Sequence, residues 1–306
     1  MIPALYGQIL PDLAPQVPEP EPIESLPPVV AEAGNLAGRG VILTENLQGI
    51  VLESWSESGL AEIADWFSAS EDLLVPSPKT LSRKLADYLD KPLTEGDLVG
   101  LADVILIHYD LEGYPVVGLE VPDQDFRDGK LHLLVEIGRI GRAGVSRPKY
   151  GNPEVLREGL WLRGGQLLRR RDLDEQLYWY GRSIFRNPRL FVAPGEEPAT
   201  ADVLIAMEET KPWRVTVGYE NSGPELVGEN RFILGALGIT KNEHILAWQS
   251  VVGAPVSSMQ AHAFHWEIPF HHLHQSLILD AGYAEVSSLA LSRVAPGRFN
   301  VVQNDG

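Results

Sequence analysis

The sequence predicts an α+β protein: two β-α-α-β-β modules followed by the first antiparallel strands of a transmembrane β-barrel. Three observations carry this expectation. After Pro212 the chain falls into segments PWRVTVGYENSG, RFILGALGI, HILAWQSVVG, AHAFHWEIPF and QSLILDAGY, which alternate apolar with small or polar residues. Barrel strands of about ten residues are written this way, because one face meets lipid and the other water. Upstream, one order of strand and helix signals occurs twice. Ahead of both lies a Pro-rich, acidic stretch.

Taken in order, residues 1–37 (ILPDLAPQVPEPEPIESLPP at their centre) read as a Pro-rich acidic linker, since repeated Pro removes backbone donors and favours extended conformations. Residues 38–139 form the first module. Its first strand lies within VILTENLQGIVLE, residues 54–76 carry no clear signal, and 78–89 read as a helix. Thr94 opens a second helix, with Asp97 three residues on as a capping-box pair. Leu98, Leu101, Ala102, Ile105 and Tyr109 share its apolar face, and Gly113 ends it. Residues 115–121 are a strand, Asp128-Gly129 a turn and 131–137 the return strand.

Residues 140–211 repeat the order more compactly. A strand at 140–145 precedes a helix opened by Asn152-Pro153 and running through Leu162. Asp172 is expected to cap a second helix whose apolar face carries Leu173, Leu177, Tyr180 and Ile184. Strands at 190–193 and 202–207 complete the module. Residues 212–306 are the N-terminal part of a barrel. In its first strand Trp213, Val215, Val217 and Tyr219 share one face, while Arg214, Thr216, Gly218 and Glu220 share the other. With Trp248 and Trp266, Trp213 and Tyr219 are expected as interfacial aromatic residues.

Composition excludes several functions. The net charge of −17 over 306 residues leaves no basic stripe for nucleic acid. No cysteine is present to form a disulfide or supply a thiolate. No apolar run is long enough for a spanning helix, a test blind to barrels. Residues 1–38 contain no Lys or Arg, so no signal-peptide n-region is visible, and a signal is expected upstream or already removed.

Catalytic and metal chemistry find little support. His262, His265, His271, His272 and His274 cluster near Glu267. A hydrolytic zinc site needs about three ligands and a water. Yet His262 and His265 fall on opposite strand faces, HHLH falls in a turn, and no HExxH helix occurs. Arg169-Arg170-Arg171 reads as a solvated feature before a helix start. No GxSxG elbow or GxxxxGK phosphate loop occurs. The expectation is a non-enzyme without cofactor or metal.

Three clusters carry a family resemblance. The first is Gly113-Tyr114-Pro115-Val116-Val117 with Val121-Pro122-Asp123-Gln124-Asp125, Asp128-Gly129 and Val135-Glu136. The second is Asn187-Pro188-Arg189, Pro194-Gly195 and Ala201-Asp202-Val203-Leu204. The third is Pro212-Trp213-Arg214 with Gly218-Tyr219-Glu220-Asn221-Ser222-Gly223, Gly228 and Arg231. In this order they resemble the outer-membrane transporters of two-partner secretion, the hemolysin secretion/activation family. These have two periplasmic POTRA domains followed by a barrel. Three departures stand out: Ile137 where the family has Gly directly after Glu, no Gly near Ala199 or Ala201, and no Val-Arg-Gly-Tyr pore loop. With five segments and a sixth beginning at Phe299, the strands are too few for a closed barrel, so the chain is expected to be a piece of a longer transporter.

The resemblance implies a translocator that binds a secreted, β-helical exoprotein through its POTRA domains. The client would pass unfolded through the pore without nucleotide. Outer-membrane lipid would be the other partner, and neither nucleic acid nor nucleotide would be. Client binding is expected at edge strands: Val116, Val117 and Leu119 in the first module, and Leu190, Phe191 and Val192 in the second. An outer-membrane protein assembly factor and a soluble periplasmic adaptor are the alternatives.

Overall fold

The computed structural model describes residues 40–55, 59–223 and 229–287. Gly228 and the segment from Phe299 lie outside them, as does the linker at 1–37.

The first module opens with β1 (Ile42–Thr44) and β2 (Gly49–Glu53). The segment that carried no clear signal supplies a hairpin, β3 (Leu60–Ala64) and β4 (Phe67–Ser70). Helix α1 (Pro78–Leu85) starts on a proline, and β5 (Leu93–Thr94) pairs with β1. Helix α2 (Glu95–Leu111) has the expected capping box, the Asp97 N–H donating to Thr94 Oγ1 at 3.2 Å and the Thr94 N–H to Asp97 Oδ2 at 3.1 Å. It ends at Gly113, whose φ of 91° is open to glycine at little cost.

Then come β6 (Val117–Glu120) and β7 (Lys130–Ile137), joined through a turn with Gly129 at φ 70°. The sheet order is β3-β4-β2-β7-β6. Ile50, Leu52, Leu131, Leu133 and Val135 point from it into a core closed by Leu81, Leu85, Leu101, Ile105 and Tyr109.

The second module comprises β8 (Arg139–Val145), α3 (Pro153–Glu158), α4 (Arg170–Tyr180), β9 (Arg186–Pro194) and β10 (Thr200–Glu209). Its sheet order is β8-β10-β9, with β10 parallel to β8 and antiparallel to β9.

Three expectations are corrected here. Helix α3 stops at Glu158 rather than Leu162. A side chain at Gly159 would stand 3.1 Å from Trp179 Nε1, and beyond it Leu160 and Leu162 are drawn into the core by an extended segment. Asp172 is not the cap of α4. Arg169 holds that position with no side-chain bond, and Asp172 lies in the first turn, where a carboxylate still favours the positive end of the helix. Ile184 lies beyond the helix, half-buried.

The last third is an antiparallel meander: β11 (Trp213–Glu220), β12 (Asn230–Ile239), β13 (Ile245–Ala254), β14 (Met259–Phe270) and β15 (Gln275–Val286). Its register carries the alternation across the sheet. Val217 faces Leu234, Tyr219 faces Phe232, Trp248 faces Phe264 and Trp266 faces Leu279 on one side. On the other side Arg231 bonds Glu220 and His265 bonds Asp280. The outer face is largely apolar, while the inner face mixes these polar pairs with an apolar cluster of Ile233, Val251, Met259 and Ala261. Among the described residues β11 and β15 are unpaired outer strands.

Candidate functional site

Strand edges decide which expected client-binding residues are available. In the first module β6 is the edge, but its side chains are not. Val116 is 5% exposed and buried in the core of the second module, while Val117 belongs to the first core and Leu119 packs against it. As side-chain contacts for a client, Val116 and Val117 are therefore corrected to core. Val117 is buried by its own module, whereas Val116 is covered by the neighbouring one, sharing a core cluster with Ile140, Leu156 and Ala201. The Gly138 N–H donates to the Val116 carbonyl at 2.8 Å, and a Cβ at Gly138 would lie 2.6 Å from Val116 Cγ1. The family's glycine, one residue later here, thus falls where the chain passes closest to β6. Gly113, Tyr114 and Pro115 lead into this contact: the Gly113 carbonyl accepts from the Arg170 N–H, and Arg169 lies over the Tyr114 ring.

Beyond the end of β6, Gln124 takes over. Its Nε2 donates to the His132 carbonyl and its Oε1 accepts from the His132 N–H, both at 2.8 Å, so a side chain satisfies the outer edge of β7. Pro122 precedes it and accepts a weaker bond from the same amide.

In the second module β8 and β9 are the outer strands, and β9 is the one that carries the expected residues. Leu190 and Val192 lean on the core, and Phe191 points away at 55% exposure beside Leu204, its cross-strand partner. Asn187 is exposed. Pro188 and Pro194 offer no N–H, so donors for an added strand lie between them. At the β9–β10 turn a Cβ on Gly195 would overlap Thr200 Oγ1, and Ala199 has φ 48°. The missing family glycine thus corresponds to a left-handed backbone position. Asp202 holds Arg142 at 2.8 Å across the sheet.

The second module docks on the meander through two turns. In the first, Arg186 pairs with Glu209 of its own module, at 2.9 Å, and with Glu243 of the β12–β13 turn; their side chains are 6%, 3% and 3% exposed. In the second, Arg182 Nη1 donates to Glu267 Oε1 and Ser276 Oγ, both at 2.8 Å. The Arg182 guanidinium lies 3.5 Å from the Trp179 ring centre, Trp179 stacks on His274 at 4.6 Å, and His274 stacks on Trp161 at 3.6 Å. This four-layer stack draws residues from α4 and the turn after it, the α3–α4 connection and the β14–β15 turn. Sequence spacing alone contains no signal for it.

The histidines disperse accordingly. His262 stacks near Tyr283 on the outer face, His265 bonds Asp280 on the inner face, His274 sits in the stack and His272 is exposed. His271 is buried at the docking surface, where loss of solvent, with Arg182 nearby, pushes it down to about 4. Among the described residues no His, Asp or Glu cluster has the geometry of a metal site.

Of the remaining motif residues, the Pro212 carbonyl accepts from the Ile239 N–H at the end of the β11–β12 pair away from their turn, and the Gly223 N–H donates to the Glu229 carbonyl. Tyr219 Oη donates to Asn230 at 2.6 Å, Arg231 bonds Glu220, and Asn221 is exposed. Trp213 and Tyr219 are exposed on the outer face at opposite ends of β11, Trp248 is partly exposed, and Trp266 is half-buried against His244.

Two small α+β modules leading into an antiparallel meander with a largely apolar outer face define a POTRA-and-barrel architecture. Residues 72–138 match the family model "POTRA domain, ShlB-type". The outer membrane transporter CdiB-2 of Burkholderia pseudomallei strain 1026b is 29% identical over 135 residues, which cover 42% of this chain and 21% of that protein. Among solved structures, CdiB from Escherichia coli superposes with a TM-score of 0.62 at 17% identity, over 89% of this chain and 46% of that one. CdiB from Acinetobacter baumannii gives 0.58 at 14%, over 93% and 52%. The chain thus spans about a fifth to a half of the length of these relatives. The resemblance to two-partner secretion transporters is borne out at the level of likeness: the chain carries a ShlB-type POTRA match over 72–138 and is similar in sequence and fold to CdiB outer-membrane transporters.

Proposed function

We propose that this chain is the periplasmic and first barrel portion of a translocator that captures a secreted exoprotein and passes it, unfolded, through the pore. Residues 38–139 and 140–211 act as two POTRA modules behind the linker at 1–37, and residues 212–306 begin the pore wall. The observation that carries the reading is β9. It is an edge strand that carries Pro188 near its start and ends at Pro194, next to the barrel, with Phe191 presented outward. An extended client adds to such an edge through main-chain hydrogen bonds, and side chains such as Phe191 select among clients. A β-helical exoprotein, rich in strand-forming segments, suits this mode. The chain carries no phosphate-cradling loop, and folding of the client outside the cell supplies the direction of transport.

The test is a photoreactive phenylalanine analogue at position 191 during secretion. Crosslinks to the exoprotein at 191, and none from the helical position Glu175, are expected. Equal labelling from both positions would refute capture by strand addition.

A further inference from the structure

The stack at the second docking turn has a buried end and an open end. At the buried end Arg182 holds Glu267 and Ser276, which lie on the inner face of β14 and β15. From there the rings of Trp179, His274 and Trp161 follow one another at near-parallel angles of 10° and 2°. Trp161 is the last layer, stacked on His274 of the β14–β15 turn and 42% exposed. Its position is built rather than incidental. Buried Gln176 accepts from the Trp161 N–H and donates to the Gly159 carbonyl, both at 2.8 Å. His274 Nε2 donates to that same carbonyl at 2.8 Å. The flanking Leu160 and Leu162 are buried, so the extended segment can only turn Trp161 outward.

The surface around this open end is apolar. Leu273, next to His274 in the turn, is 49% exposed, and Phe270 and Leu277 continue it up the outer face of β14 and β15. That outer face is the lipid face of an outer-membrane barrel, and tryptophan concentrates where hydrocarbon gives way to headgroups, because its ring is apolar and its N–H polar.

We propose that Trp161, Leu273 and Phe270 form a foot by which the second POTRA module rests in the periplasmic leaflet of the outer membrane. The bilayer, and not only the protein contacts, then sets the tilt of that module under the pore. The proposal rests on the outer-membrane reading. It assigns phospholipid as the occupant because the patch is continuous with the lipid face.

The test exploits the absence of cysteine. Nitroxide labels are placed by Leu273→Cys, Val217→Cys on the outer face and Phe191→Cys on β9, in a cysteine-free full-length transporter that contains this chain, reconstituted in phosphatidylethanolamine–phosphatidylglycerol vesicles. Collision with oxygen against a water-soluble nickel reagent reads depth. The expected order is Val217 deepest, Leu273 at the interface and Phe191 in water. In parallel, Trp161→Phe should remove a component of tryptophan emission quenched by lipids brominated near the headgroup.

A Leu273 label as open to nickel as Phe191, or quenching unchanged by Trp161→Phe, overturns the proposal and leaves the patch to a protein partner. If Val217 also meets nickel freely, the barrel reading itself fails, a distinguishable result.

Discussion

Replacing Arg186 by Met should undock the β12–β13 turn from the second POTRA module. Arg186 lies between two carboxylates, and all three side chains are almost fully buried. The loss does not fall on them equally. Glu209 keeps the N–H groups of Lys149 and Tyr150, at 2.6 and 2.9 Å, and stays compensated within its own module. Glu243 belongs to the turn and loses the cation that justifies its burial. Breaking a buried pair by removing one partner costs about 3–5 kcal/mol. With about 1.4 kcal/mol per factor of ten, the undocked population rises by roughly two to three and a half orders of magnitude.

Hydrogen exchange of peptides covering 240–246 reads this opening directly, with the β2 and β7 peptides as reference. Adding Glu243→Gln to Arg186→Met should restore most of the protection, since a neutral amide tolerates the site better than a lone carboxylate. Glu196→Gln, which removes an exposed 3.1 Å contact to Arg142, should change nothing measurable. Unchanged exchange at 240–246 in Arg186→Met, or no rescue by Glu243→Gln, would refute the argument.

Other consequences follow from single positions. Gly138→Ala places a methyl 2.6–2.8 Å from Val116 side-chain and backbone atoms, and should lower the urea midpoint by an amount equivalent to about 1–3 kcal/mol through strain at the joint between the modules. Ala199→Gly relieves a left-handed alanine at φ 48° and should raise stability by up to about 1 kcal/mol, read by thermal melting. His271 is held neutral: its pKa is pushed down by burial and by Arg182, from an ordinary 6.5 to about 4. Its contribution to docking is therefore complete above about pH 6.5 and is lost as pH falls toward 4. Exchange at 271–275 should rise across that window in the native chain, and the rise should shrink in His271→Gln.

What was legible in the sequence was what neighbours along the chain decide. The period of two after Pro212 is a statement about which side chains share a face, and the register of β11 to β15 keeps Trp213, Val215, Val217 and Tyr219 on the outside. Thr94 and Asp97 cap α2 because both partners lie within one turn. Gly113 and Gly129 mark positive φ by the same local logic. Where local signals compete, the reading slipped. Asp172 is an excellent capping residue, yet α4 starts two residues earlier, where the Arg170 N–H meets the Gly113 carbonyl of the other module. The β3–β4 hairpin was silent because LAEIA and FSAS are too short to show a period.

The tertiary structure alone decided which edges remain free and how the modules sit on the barrel. Val116 alternates like any edge residue, and only the approach of the second module turns it into core. Arg182, Trp179, His274 and Trp161 lie up to 113 positions apart, from Trp161 to His274, and no period connects them. The reason is physical. Periodicity along a chain records how much of each face is buried, whereas the identity of what buries it depends on long-range closure, which a one-dimensional pattern does not encode.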